Sequence, residues 1–130
     1  MKKTRIAFLL VLTFTMFLLT SCGTKTFEFE NISRIELTNG TNGEMVEITD
    51  ANQIQTLIQL FSENEFDKGK SASDSTGWSY RIKFYQDEKV MVDIFVLSSD
   101  TSIVYSGYFY EIKNGTLDIT CFDDMINLNK

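Results

Sequence analysis

The sequence predicts an α+β fold: a curved antiparallel sheet of about six or seven strands, packed by one face on one main helix. Three observations carry that prediction. Apolar and polar residues alternate with period two through much of the chain beyond residue 27, most plainly from Trp78 to Tyr85. Asn-Gly and Ser-Gly pairs separate these runs by connections so short that consecutive strands must be antiparallel. Only one long stretch, Ala51 to Glu63, repeats its apolar residues at helical spacing.

Each element follows in order. Phe27-Glu28-Phe29-Glu30 alternates and runs into Ile32, Ile35 and Leu37, which predicts a first strand with an irregularity near Asn31. Thr38 to Gly43 contains two Asn-Gly pairs and forms a turn, from which Met45 to Ile48 returns as a second strand. Asp50 is placed to cap a helix, with Gln53 three residues on to complete a capping box. Ile54, Leu57, Ile58 and Phe61 make that helix's apolar stripe. The chain is then polar from Asn64 to Gly77, where Phe66 fits a short edge strand and the rest an exposed loop.

Trp78, Tyr80, Ile82 and Phe84 form an inward row, with Ser79, Arg81, Lys83 and Tyr85 pointing the other way. A turn over Gln86 to Lys89 leads to a second inward row, Val90, Val92, Ile94 and Val96. Met91, Phe95 and Leu97 make the other side of that strand apolar too, which predicts a central strand or one covered on both faces. Ser98 to Asp100 turns into Ile103-Val104-Tyr105, and Ser106-Gly107 connects tightly to Tyr108 through Ile112. Asn114-Gly115 signals a hairpin into a last strand, Leu117 to Cys121. Phe122, Met125 and Ile126 close the core in a final helical turn.

The first 22 residues have another character. Lys2, Lys3 and Arg5 precede an apolar run from Ile6 to Leu19, broken only by Thr13 and Thr15. That order of basic end, short apolar stretch and small residues is a signal peptide. The run is shorter than the roughly 20 apolar residues that span a bilayer. Leu19-Thr20-Ser21-Cys22 resembles the lipobox of bacterial lipoproteins. The resemblance implies removal of residues 1–21, a diacylglyceryl group on Cys22, and a lipid anchor on the extracytoplasmic face of the cell membrane. Residues 22–26 are then a lipidated polar tether and 27–130 a single α+β domain. Ile32 onward, through Gly77-Trp78-Ser79-Tyr80 and Tyr105-Ser106-Gly107-Tyr108-Phe109-Tyr110, is similar to small uncharacterised lipoproteins of low-GC Gram-positive bacteria. That second resemblance carries no activity and no catalytic residue.

Charge and cysteine content narrow the function. Without residues 1–21 the chain keeps nine basic and eighteen acidic residues, a formal charge of −9. No basic footprint for nucleic acid follows from that balance. By net charge the domain is also repelled from anionic headgroups, so its lipid and not its surface holds it at the membrane. With Cys22 lipidated, Cys121 has no partner for an intrachain disulfide. The chain has no histidine, which removes Cys–His and Ser-His-Asp catalysis and every histidine ligand. Cys121 is therefore expected as a small apolar residue at an inward strand position. Asp123-Asp124 lacks the spacing of a calcium loop and is expected to cap the last turn. No metal site, cofactor or catalytic residue is called for.

The aromatic residues are the most informative for binding. Most belong to core and cross-strand pairs. Tyr85, Tyr105 and Phe109 are the candidates for an exposed binding patch, since alternation sets some of them against the core row. The leading expectation is a membrane-anchored, non-enzymatic module that binds a protein partner through the sheet face or the Lys68–Thr76 loop. An inhibitor or immunity lipoprotein acting on a basic target is one version. The alternative is a carbohydrate or cell-wall ligand held on the aromatic face. A carboxylate-based hydrolase is a remote third, which needs an Asp or Glu of raised pKa in a cleft.

Overall fold

The computed structural model describes residues 23–73 and 77–130. The signal peptide expected over 1–21, lipidation at Cys22 and residues 74–76 of the expected loop lie outside the described residues. Among the described residues the strands are β1 (Thr24–Lys25), β2 (Arg34–Asn39), β3 (Met45–Ile48), β4 (Phe66–Ser71), β5 (Tyr80–Gln86), β6 (Lys89–Val96), β7 (Ser102–Tyr105) and β8 (Tyr108–Ile112). Two helices accompany them, α1 (Ala51–Ser62) between β3 and β4, and α2 (Thr120–Leu128) after β8. The strands form one open sheet in the order β1-β4-β8-β7-β6-β5-β2-β3, antiparallel at every pairing. The α+β expectation holds, with eight strands in place of six or seven and a second helix beside the expected one.

Strand alternation sets the core. Ile35 and Leu37 of β2, Ile82 and Phe84 of β5, and Ile94 and Val96 of β6 are fully buried on one face. Ile54, Leu57 and Phe61 of α1 and Phe122, Met125 and Ile126 of α2 pack against that face. Phe61 joins the layers, with its ring centroid 5.9 Å from Phe84 and 6.4 Å from Phe122.

The strand order explains why two expectations changed. β1 lies at one edge of the sheet, while β2 lies next to the other edge. The intervening Phe27-Glu28-Phe29-Glu30 is therefore a crossing segment, not a strand. It buries Phe27 against Phe61, Phe66 and Tyr105 and leaves Glu28 and Glu30 in water. It ends at Asn31, whose φ of 53° is the expected irregularity. α1 makes the reverse crossing, from β3 back to β4. Leu117 to Cys121 is likewise no strand, because β4 and β7 already occupy both edges of β8. Leu117 instead donates one backbone bond to Asp100 and buries its side chain, and Cys121 enters α2.

Local details differ for equally physical reasons. Asp50 caps α1 as expected, its carboxylate accepting from the N–H groups of Asn52 and Gln53. The Gln53 amide completes no capping box; its oxygen accepts from Asn129 beyond α2, 2.9 Å away. A register shift between Phe84 and Tyr85 leaves Met91 unpaired and turns Val90, expected inside, into water at 42% exposure. β6 is central in order, but Met91 is 41% exposed, so its outer side is not fully covered. Residues 66–71 of the polar segment from Asn64 to Gly77 form strand β4, whose single buried side chain is Phe66. Positions 23–25, part of the polar tether expected over 22–26, are held against it: Lys68 N–H donates to the Gly23 carbonyl, and Thr24 and Lys25 pair with Asp67 and Phe66.

Candidate functional site

The sheet's outer face, away from the helices, divides into two parts. Pairing aligns Thr38, Arg81, Phe95, Val104 and Phe109 in one row across five strands. At the β2–β5 end the row meets a closed network of charges. Arg81 binds Asp93 with both arms, at 3.0 and 2.8 Å, and lies 4.8 Å from the Phe95 ring. Arg34 stacks 3.7 Å above the Tyr85 ring and pairs with Glu36, Glu47 and Glu88. Glu36 also accepts from the Tyr85 hydroxyl at 2.8 Å and faces Lys83 at 3.7 Å. Burial raises the pKa of Glu36, but the Tyr85 and Arg34 bonds outweigh it and hold the carboxyl below its ordinary value. The Tyr85 hydroxyl, donating to that carboxylate, is pushed up in turn.

The β6–β8 end is apolar and open. A depression of about 250 Å³ is lined by Ala72, Gly77, Trp78, Phe95, Leu97 and Val104. A second, of about 410 Å³, adjoins it at Leu97 and runs over Phe109, Gly69 and Ser102. Asp67, Lys68, Lys70 and Glu111 edge it. The Trp78 and Phe95 rings meet edge to face, with centroids 5.6 Å apart.

Trp78 reaches this face because strand parity does not extend to it. β5 begins at Tyr80, and Gly77 before it has a φ of 90°. Gly40 gives the indole room, since a Cβ there would fall 2.2 Å from the Trp78 carbonyl oxygen and 2.8 Å from the ring. The inward placement expected for Trp78 is thus corrected, while Tyr80, Ile82 and Phe84 are buried as expected.

Of the three expected binding residues, only Phe109 lies in the groove. Tyr85 shares the face but is buried beneath Arg34 with its hydroxyl engaged, so it offers no free ring. Tyr105 is on the opposite face, 5.0 Å from Phe27 and 6.2 Å from Tyr110. Trp78, Phe95, Leu97 and Val104 complete the site. The signal for two of them was legible, since Phe95 of β6 and Leu97 just beyond it continue a second apolar row. Of the Lys68–Thr76 segment, Lys68, Gly69, Lys70 and Ala72 line the groove.

The remaining titratable candidates are elsewhere. Cys121 is half-buried on α2; burial, then Asp118 and Asp124, pushes its thiol up. Asp123, expected as a cap, accepts from the Tyr80 hydroxyl at 2.7 Å. Among the described residues no three His, Cys, Asp or Glu side chains are grouped to hold a metal ion, and no helix is long and apolar enough to cross a membrane. No family model matches the chain, and comparison with curated proteins and with solved structures gave no match.

Proposed function

We propose that this chain is a lipoprotein anchored through Cys22 on the extracytoplasmic face of the cell membrane, and that its domain is a non-enzymatic module that binds a protein partner. The observation that carries the binding reading is the depression of Trp78, Phe95, Leu97 and Val104. Apart from the Trp78 indole N–H its side chains are apolar, so it suits an aliphatic or aromatic anchor from a partner chain, the contact that dominates interface energies. A sugar ring would find only the Trp78 indole N–H, and no side-chain acceptor, among those four residues to answer its hydroxyls. The reading takes the sheet as curved about its helices, as the shifts at Phe84/Tyr85 and Lys68/Ser71 favour, so the groove stands on the convex side.

The non-enzymatic part rests on the state of the reactive groups. The Cys121 thiol is shifted away from thiolate, Glu36 is held as a carboxylate by its partners, and neither lines the groove. An inhibitor or immunity role is one form of this reading. Two acids and two lysines edge the groove, so docking there is driven by apolar burial and responds weakly to salt.

A glycan is the second reading, and the Phe109 half favours it. One ring face there is surrounded by Asp67, Lys68, Lys70, Ser102 and Glu111, which combines stacking with hydrogen-bonding groups.

The test is capture from cell-envelope and medium fractions by the full chain in mild detergent, beside Trp78→Ala and Phe109→Ala variants of unchanged thermal stability. The protein reading expects one polypeptide recovered near one-to-one and weakened about thirtyfold or more by Trp78→Ala. Glycan lost with Phe109→Ala alone would shift the assignment to the second reading. Capture that neither variant weakens would remove the groove from the function.

A further inference from the structure

Nine basic residues lie beyond residue 22. Arg34, Arg81, Lys83, Lys113 and Lys130 each form an ion pair with a carboxylate. Among the described residues, no ion pair involves Lys25, Lys68, Lys70 or Lys89. Lys89 opens β6, but the other three share one edge of the sheet, on β1 and β4. Each stands over an aromatic ring. Lys25 Nζ is 5.0 Å from the Tyr105 centroid and 5.2 Å from that of Phe27. Lys68 is 3.8 Å from Tyr108, and Lys70 is 5.9 Å from Phe109. Of the acids at this edge, Asp67 and Glu111 face each other across β4 and β8 on the outer face, Asp67 accepts from Thr24, Glu65 pairs with Lys113, and Glu28 is exposed in the crossing segment. Tyr108 is 39% exposed beside Lys68.

The chain enters the domain at this same place. The Gly23 carbonyl accepts from the Lys68 N–H at 2.8 Å, and a Cβ on Gly23 would lie 3.5 Å from that of Lys68. Residue 22 is one peptide, about 3.8 Å of chain, from Gly23. A lipid on Cys22 therefore leaves no length of free tether between the bilayer and the β1–β4 edge. Net charge predicts repulsion, but charges beyond about 8 Å are screened at physiological salt, so the headgroups respond to the edge nearest them.

We infer that the β1–β4 edge is a membrane-docking surface, on which Lys25, Lys68 and Lys70 engage the phosphates of anionic lipids and Tyr108 enters the headgroup layer. Lysine and tyrosine together suit that interface. The inference rests on the Cys22 anchor proposed above and adds an orientation to it: β1 and β4 toward the bilayer, with the Trp78 half of the groove left accessible.

The test uses the lipid-modified full chain in vesicles of phosphatidylcholine, with or without about one-third phosphatidylglycerol, and reads lysine acylation rates by mass spectrometry. Lys25, Lys68 and Lys70 are expected to react about fivefold or more slowly on the anionic vesicles, with Lys89 unchanged. About 1 M salt, which shortens the screening length to about 3 Å, should abolish the difference. Equal rates for the edge lysines on both vesicle types would overturn docking while leaving the anchor in place. An intact mass without diacylglyceryl at Cys22 would overturn both readings. Protection seen in native envelope fractions but on neither vesicle would assign the edge to an acidic protein, against the inference.

Discussion

Two tyrosines of β5 show how one residue type serves opposite faces of this sheet. Tyr80 is on the core face, 4.9 Å from the Phe122 ring, and donates to Asp123; Tyr85 is on the outer face and donates to Glu36. Burial first, then the bond to Asp123, pushes the Tyr80 hydroxyl from 10.0 to about 12. The folded state thus favours the protonated phenol. Its contribution is full below the unfolded value and is lost as pH rises from 10.0 to about 12. Tyr80→Phe is expected to cost about 1–2 kcal/mol at neutral pH, discounted for the exposure of Asp123, and to flatten the alkaline decline in denaturant unfolding. An unchanged alkaline slope in the variant would assign that decline to other groups. The sign is opposite for Glu36, whose lowered pKa stabilises the fold above the ordinary carboxylate range and is lost in acid.

The elements differ in how much of each was legible. α1 was almost wholly so, because cap and stripe are local: Asp50 accepts from two N–H groups, and Ile54, Leu57 and Phe61 face one way. β4 was mostly illegible, since FDKGKS turns only Phe66 inward and carries no alternating pattern. The β2–β3 turn depends on a distant contact that no local pattern reveals. Asn39 N–H closes it onto Glu44, and Gly40 N–H reaches across to the Ser79 carbonyl. Gly40→Ala sets a Cβ against the Trp78 carbonyl and ring, so backbone must move. We expect about 1–3 kcal/mol of lost stability, with Trp78 fluorescence shifted in the folded state. A neutral effect with an unchanged emission spectrum would mean that the contact is looser than described.

At the scale of the molecule, stability should follow position in the sheet. β5, β6 and β2 are flanked on both sides and supply Ile35, Leu37, Ile82, Phe84, Ile94 and Val96, all fully buried. β1 has two residues and β4 one buried side chain. Amide exchange is expected to be slowest in β5 and β6 and faster by orders of magnitude in β1 and the outer half of β4. Uniform protection across the sheet would show that the edge opens only with the whole fold. On bilayers the same edge should gain protection if it docks there, which couples this prediction to the lysine labelling.

The sequence by itself determined the α+β class, the α1 cap, and the inward residues Tyr80, Ile82 and Phe84 of β5 and Val92, Ile94 and Val96 of β6, because alternation and capping depend only on near neighbours in the chain. It also determined that histidine chemistry is absent and that the chain is acidic as a whole. Tertiary structure decided which strands lie side by side. It thereby made residues 26–33 a crossing and denied Leu117–Cys121 a place beside β8. It decided that Trp78 faces outward and Tyr105 inward, and that three lysines in no ion pair among the described residues meet at one edge. Those outcomes depend on occupied edges, a positive φ at Gly77 and the space left by Gly40, relations between residues far apart in the chain.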